Sequence, residues 1–297
     1  MKVLVTGASG LLGAELCRQL KIQGHEVWAV DNHSRSSLIP DCDHWLKLDL
    51  SDADNYRSLP QDFHYIYHYS AINGTKNFYE RPNTVLDNNF TSDVLMFRFA
   101  QSCIRLQRLV YASSSEIVAG DPQSPVSENT AIAIDNIHNP RWSYRLAKVC
   151  AENYLVNSQL PWLICRYFNV YGEHSKAGHF VADQIDKIKR GEFSIIGPNE
   201  TRSFCYVSDA IAATIYCAQS VSREVVNIGN DREIRILDAA NIIASALGHE
   251  NVQWQIKPSL AGSTPTRRPN IDRLRQIMTS YAPISFEEAI ARMLTKR

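Results

Sequence analysis

The sequence predicts an α/β protein with a parallel, doubly wound sheet, and three observations carry that expectation. The first run of strand formers, Lys2-Val3-Leu4-Val5-Thr6, breaks at Gly7 and leads through Gly10 and Gly13 into helix formers that close at Gly24. Further β-branched and aromatic runs follow, with helical stretches between them. Chemistry-bearing residues then sit just after these runs, at the strand ends where open parallel sheets bind ligands.

Composition narrows the classes. The chain has 297 residues, 44% hydrophobic and 21% charged, which suits an ordinary globular protein with a large core and probable division into two domains. Its 31 basic and 31 acidic residues cancel, and no basic stripe stands out, so neither nucleic acid nor an anionic membrane is an expected partner. No apolar run approaches the ~20 residues of a membrane span. Met1 and Lys2 lead straight into a strand, which leaves no room for a signal peptide. Seven scattered cysteines without a CxxC pair argue against structural zinc and for a reducing, cytoplasmic setting.

In order, Gly7 permits a tight turn, Gly10 lets a pyrophosphate approach the backbone, and Gly13 lets helix and strand pack closely. Leu11 and Leu12 open the helix whose N-terminus would receive the diphosphate, a Rossmann-type arrangement. Residues 26–31 form the second strand. Its terminal Asp31 is placed to accept from an adenosine ribose diol and to repel a 2′-phosphate, which favours NAD over NADP, although Arg35 lies close by. The third strand, 45–48, ends at Asp49-Leu50, where Asp49 is positioned to reach the adenine; Asp49 or Ser51 would otherwise cap the next helix.

Residues 65–71 form a fourth strand that carries His68 and Tyr69 to Ala71. His64 and His68 share a face without a third ligand, so both read as packed or hydrogen-bonded histidines. A loop over 72–82 should cross near the nicotinamide, followed by a long helix over 83–104 that includes Asn88. The fifth strand, 108–112, ends at Ala112 and delivers Ser113-Ser114-Ser115-Glu116. Tyr144 and Lys148 then share one face of a helix over 143–158. A neighbouring ammonium favours phenolate, which predicts a Tyr144 pKa pulled below ~10 towards working pH and a tyrosine able to exchange a proton with a sugar hydroxyl or ketone.

Together these residues resemble the extended short-chain dehydrogenase/reductase superfamily, in its NAD-dependent nucleotide-sugar epimerase/dehydratase branch. The matches are Thr6 to Gly13, Val30-Asp31-Asn32, Tyr111 to Glu116, Tyr144 with Lys148, Arg166 to Gly172 and Arg202 to Asp209, in the family's order and spacing over most of the chain. The resemblance implies that Tyr144 is the catalytic acid/base, that Lys148 lowers its pKa and binds the nicotinamide ribose, and that Ser114 bridges substrate and Tyr144. Glu116 stands where dehydratases and decarboxylases often carry a second acid/base. One departure bears on the serines: the segment reaches Gly120 one residue late, so counting from the strand selects Ser114 and counting back from Gly120 selects Ser115. The usual tyrosine there is replaced by Val118 or Ala119.

The resemblance further implies NAD contacts at Asn32, Leu50, Tyr69, Ala71, Asn88, Ala112 and Tyr167, and substrate contacts at Ser115, Asn169, Arg202 and Arg267. Arginine suits a diphosphate because its planar fork pairs with phosphate oxygens. The implied architecture is a Rossmann domain from 1–168 and 205–230, with a smaller C-terminal α/β cap from 169–204 and 231–297. The implied assembly is a homodimer through the helices near 83–104 and 143–158. The implied activity is a UDP-hexose 4-epimerase-like inversion of a nucleotide-diphospho-sugar through a transient keto-sugar, with retained NAD. A 4,6-dehydratase or decarboxylase, an NADPH-dependent keto-sugar reductase and a non-catalytic dinucleotide sensor are the alternatives.

Overall fold

The protein is described by a computed structural model covering residues 1–118, 125–134, 136–175, 178–259 and 265–295. Ala119 and Gly120, used in the sequence reading, lie outside the described residues.

The opening run forms β1 (Lys2–Thr6), the glycine segment turns into α1 (Leu11–Ile22), and β2 (Glu26–Asp31) and β3 (His44–Lys47) follow. Next come β4 (Tyr65–His68), α2 (Thr75–Glu80), α3 (Pro82–Ser102), β5 (Arg108–Ser114), α4 (Trp142–Val156) and β6 (Trp162–Tyr167). The later chain contributes β7 (Val170–Tyr171), α5 (Phe180–Lys189), β8 (Ser194–Ile196), β9 (Thr201–Ser203), β10 (Cys205–Tyr206), α6 (Val207–Ser220) and β11 (Glu224–Ile228). The last elements are β12 (Glu233–Arg235), α7 (Ile236–Ala246), β13 (Gln255–Lys257), β14 (Thr266–Arg267), α8 (Asp272–Ile277) and α9 (Phe286–Thr295).

Among the described residues, seven strands make one sheet in the order β11-β6-β5-β4-β1-β2-β3, and every pairing is parallel. The doubly wound α/β prediction holds. Strand alternation explains why both faces are covered. Val3 and Val5 pack with Leu16, Cys17 and Leu20 of α1, while Leu4 packs with Met96, Phe97 and Ala100 of α3. Winding reverses between β1 and β4, which opens a crevice at the carboxyl ends of those strands. Three small sheets, β10-β7, β12-β9-β14 and β13-β8, are built from chain beyond β6.

Residues 72–82 differ from the expected loop, because α2 forms within them. Gly74, at φ +105°, lets the chain turn, and no further breaker intervenes before Pro82 takes the first position of α3. Helix α6 begins at Val207, so Asp209 lies in its first turn, where its carboxylate accepts from the Ile284 N–H at 3.0 Å instead of capping. The third strand begins one residue before its expected start and the fifth runs two residues past its expected end, which places Ser114 at the strand terminus.

Candidate active site

The site starts at the glycine turn. Gly7 has φ +62°, and a Cβ there would stand 2.6 Å from the Tyr69 carbonyl carbon. A Cβ on Gly13 would meet the Gly7 carbonyl oxygen at 2.3 Å. The Gly10 N–H donates to the Gly7 carbonyl at 3.0 Å, and α1 begins at Leu11 without any side-chain cap. Backbone packed this tightly before an uncapped helix N-terminus fits a dinucleotide diphosphate. At the end of β2, Asp31 accepts from the Ser9 N–H at 3.1 Å and the His33 N–H at 2.8 Å, so its carboxylate ties the turn to the following loop.

A cavity of about 350 Å³ runs from this turn to Tyr144. Its walls include Gly7, Gly10, Leu11, Leu12, Gly13, and at the end beside β2 and β3 Asp31, Asn32, Asp49 and Leu50. Tyr69, Ala71, Asn88, Ala112, Tyr167 and Asn169 line the middle, and Ser114, Ser115, Glu116, Tyr144, Lys148 and Arg267 the far end. The topology thus gathers nearly every residue singled out in the sequence around one chamber. Asp49 faces it while its Oδ1 accepts from the Ser51 backbone at 3.0 Å and hydroxyl at 2.7 Å. Asp52, not Asp49 or Ser51, caps the next short helix by accepting from the Asp54 N–H.

Arg202 is the exception. Its guanidinium donates to Glu200 at 2.6 Å and to the Thr201 and Pro265 carbonyls at 2.7 and 3.3 Å, and the residue does not line the cavity. In the register of β9 it is paired with Arg267 of β14.

At the far end α4 places Tyr144 and Lys148 on one face, both buried. The Ser114 side chain hydrogen-bonds the Tyr144 phenol, whereas Ser115 is buried in the short helical turn after β5. The expected acidification of Tyr144 does not hold in this structure. Burial holds the phenol well above its ordinary value, only partly opposed by the Ser114 hydrogen bond. Lys148 Nζ stands 5.9 Å from the Tyr144 ring centroid, and burial pulls its own pKa below the ordinary value.

Glu116 is the centre of a charge cluster. Arg141 Nη2 donates to both its oxygens at 2.9 and 3.0 Å, Arg267 Nη1 donates at 2.7 Å and Arg145 Nη2 at 3.3 Å. Burial alone would raise the carboxyl's pKa, but Arg267, Arg141 and Arg145 together outweigh it and hold the group well below the carboxylate range. Glu116 therefore stands as a fixed anion here, which disfavours the second acid/base role, and Arg267 is committed to it. Sequence reasoning passed over Arg141 and Arg145 as partners of Glu116; Arg141 immediately precedes α4 and Arg145 lies in its first turn, and only the fold brings Arg267 to them. It also passed over Asn73, Phe78, His174 and His179, which line the cavity from α2, the turn before it and the segment after β7. Phe78 stacks on Tyr144 with ring centroids 5.0 Å apart. No spacing rule would have found these residues.

Among the described residues, no group of three or more His, Cys, Asp or Glu is arranged to hold a metal ion, and no helix is long and apolar enough to cross a membrane.

Comparison with known proteins agrees with this geometry. A UDP-N-acetyl-alpha-D-glucosaminuronate decarboxylase of Bacillus cytotoxicus is 27% identical over 320 residues, covering 97% of this chain and 95% of that protein. A putative UDP-glucose 4-epimerase of Methanocaldococcus jannaschii is 29% identical, covering 86% of each. The solved structure of an epimerase from Methanothermobacter thermautotrophicus superposes with a TM-score of 0.90 at 25% identity, over 99% of this chain and 92% of that one. The family model described as the NAD dependent epimerase/dehydratase family matches residues 3–229, and the chain belongs to that family.

Proposed function

We propose that the protein is an NAD-dependent nucleotide-diphospho-sugar epimerase that works through a transient keto-sugar. The observation that carries this is the shared chamber. The glycine turn that fits a dinucleotide and the Tyr144–Ser114 hydroxyl pair open into the same cavity. NAD, when bound, supplies the oxidant that accepts and returns a hydride. Tyr144 exchanges a proton with the sugar hydroxyl, and Ser114, bonded to the phenol, orients it. Because burial keeps Tyr144 a neutral phenol, the residue is loaded as an acid in the state described, and Lys148 on the same helix face is the cation that would favour its phenolate when it serves as base. Inversion at one carbon follows if the keto-sugar turns over before the proton and hydride return. The cap, 169–204 and 231–297, is proposed to hold the nucleotide, with Asn169 facing the cavity from the left-handed region at φ +40°.

A second reading has an observation of its own. Three arginines surround one glutamate at the sugar end, leaving cationic charge in excess beside the cavity. Excess guanidinium charge suits a sugar carboxylate, and four of the similar proteins are named as decarboxylases of nucleotide-linked sugar acids. We further propose a homodimer through α3 and α4, whose Leu86, Phe90 and Val156 are exposed.

One experiment separates these readings. The purified protein is incubated in deuterated water with UDP-, GDP-, CDP- and dTDP-sugars, including UDP-linked sugar acids, and the products are read by mass spectrometry and NMR. A new isomer without deuterium supports 4-epimerisation. Release of carbon dioxide from a sugar acid moves the assignment to decarboxylase. Loss of water with deuterium incorporated moves it to dehydratase. No product from any sugar sinks the proposal.

A further inference from the structure

Behind Lys148 lies a polar network that the proposed chemistry leaves unused. Thr6, His68, Asp93 and Tyr111 are each at most 1% exposed, in the layer between the sheet and helices α3 and α4. Thr6 Oγ accepts the backbone N–H groups of Tyr69 at 3.1 Å and Ser70 at 3.2 Å. Those bonds fill its two lone pairs, so its own O–H donates to His68 Nδ1, 2.8 Å away. His68 is thereby the neutral tautomer with its proton on Nε2, which donates to Asp93 Oδ1 at 3.0 Å. Tyr111 donates its phenol to the other oxygen at 2.6 Å.

Asp93 is therefore a carboxylate whose two donors are both neutral. A buried anion of that kind needs a cation. Lys148 supplies one: its Nζ stands 4.5 Å over the face of the same Tyr111 ring whose hydroxyl holds Asp93. Asp93 and Glu152 are the acidic groups that act on the ammonium. Glu152 already has its own cation, because Arg166 grips both its oxygens at 3.0 and 2.7 Å. The remaining titratable groups around Lys148 are the phenols of Tyr111 and Tyr144, one bonded to Asp93 and one to Ser114.

We propose that Asp93 is a positioning residue, the buried counter-charge that keeps Lys148 protonated and aimed at the tyrosine, with Thr6, His68 and Tyr111 fixing where that charge sits. The network begins one residue before Gly7, so the turn that fits the dinucleotide and the lysine beside Tyr144 share a single hydrogen-bonded support. This rests on the reading of Lys148 as the cation that serves Tyr144.

The test uses no substrate, so its failure is distinguishable from failure of the proposed reaction. Lysines are labelled with ¹³C at the ε carbon in the full-length protein, the Lys148 resonance is assigned by its loss in Lys148→Gln, and its titration is followed by NMR. Asp93→Asn keeps shape and removes charge. It should lower the pH at which Lys148 loses its proton by about one unit or more, a tenfold or greater weakening of proton binding. Tyr111→Phe keeps the ring and loosens the carboxylate, and should give a smaller shift in the same direction. If Asp93→Asn does not fold, Tyr111→Phe alone decides. An unchanged Lys148 titration, with only the thermal midpoint lowered, would mean a merely structural network and overturns the proposal.

Discussion

At the scale of single residues, Tyr144 and Glu116 line one cavity and have opposite fates. The phenol gains little from its neighbours and is pushed up by burial, while the carboxylate gains three guanidinium partners and is pushed down. Tyr144→Phe should therefore reduce turnover by about 100- to 10,000-fold, the usual worth of a positioned acid/base, while leaving the thermal midpoint nearly unchanged. Steady-state rates on whichever sugar is converted, beside a melting curve, check both parts. Glu116→Gln leaves three buried arginines without their anion and should destabilise the fold by about 3 kcal/mol at neutral pH. Because the folded pKa of Glu116 lies below its ordinary 4.5, its contribution is complete above that pH and is lost as the pH falls towards the folded value. In urea unfolding, the gap between the variant and the parent should thus hold from pH 7 down to about pH 5 and narrow progressively below it; a gap that stays constant in acid would show that the ion cluster is not its source.

At the scale of elements, the opening strand–turn–helix was the most legible part of the chain, because its glycines answer to short-range sterics. Gly13 packs against its own turn, and the contact that excludes a side chain is with Gly7 and Ala8, a few residues away. Gly13→Ala should cost about 1–3 kcal/mol by overpacking and should lose copurifying dinucleotide, checked by denaturant unfolding and by chromatography of the released nucleotide. Helix α4 was legible for a similar reason, since the four-residue spacing of Tyr144 and Lys148 is local geometry. Helix α2 was not. Its six residues have no amphipathic repeat long enough to read, and it is held partly by contact with its neighbours, including the stack of Phe78 on Tyr144. The pairing of Arg202 with Arg267 of β14 was equally illegible, because strand register is set by partners distant in sequence.

At the scale of the molecule, the packing of α3 against α4 is central. It buries Asp93 beside Lys148 on one side and leaves Leu86, Phe90 and Val156 exposed on the other. If that outer face joins two copies, Phe90→Asp should convert a dimer into a monomer by light scattering, with the fold retained by circular dichroism. A parent protein that is monomeric at micromolar concentration would reject the dimer. The sequence by itself determined the parallel α/β architecture, the glycine turn and the tyrosine–lysine pair, because strand alternation, left-handed backbone and helical spacing act over a few residues. Only the tertiary structure decided that Ser114 meets the phenol, that Glu116 is tied to three arginines and that Arg202 is bonded to Glu200. Those outcomes depend on burial and on partners distant in sequence. The sign of a buried group's pKa follows from which charges the fold brings to it, and the order of residues along the chain does not contain that sum in readable form.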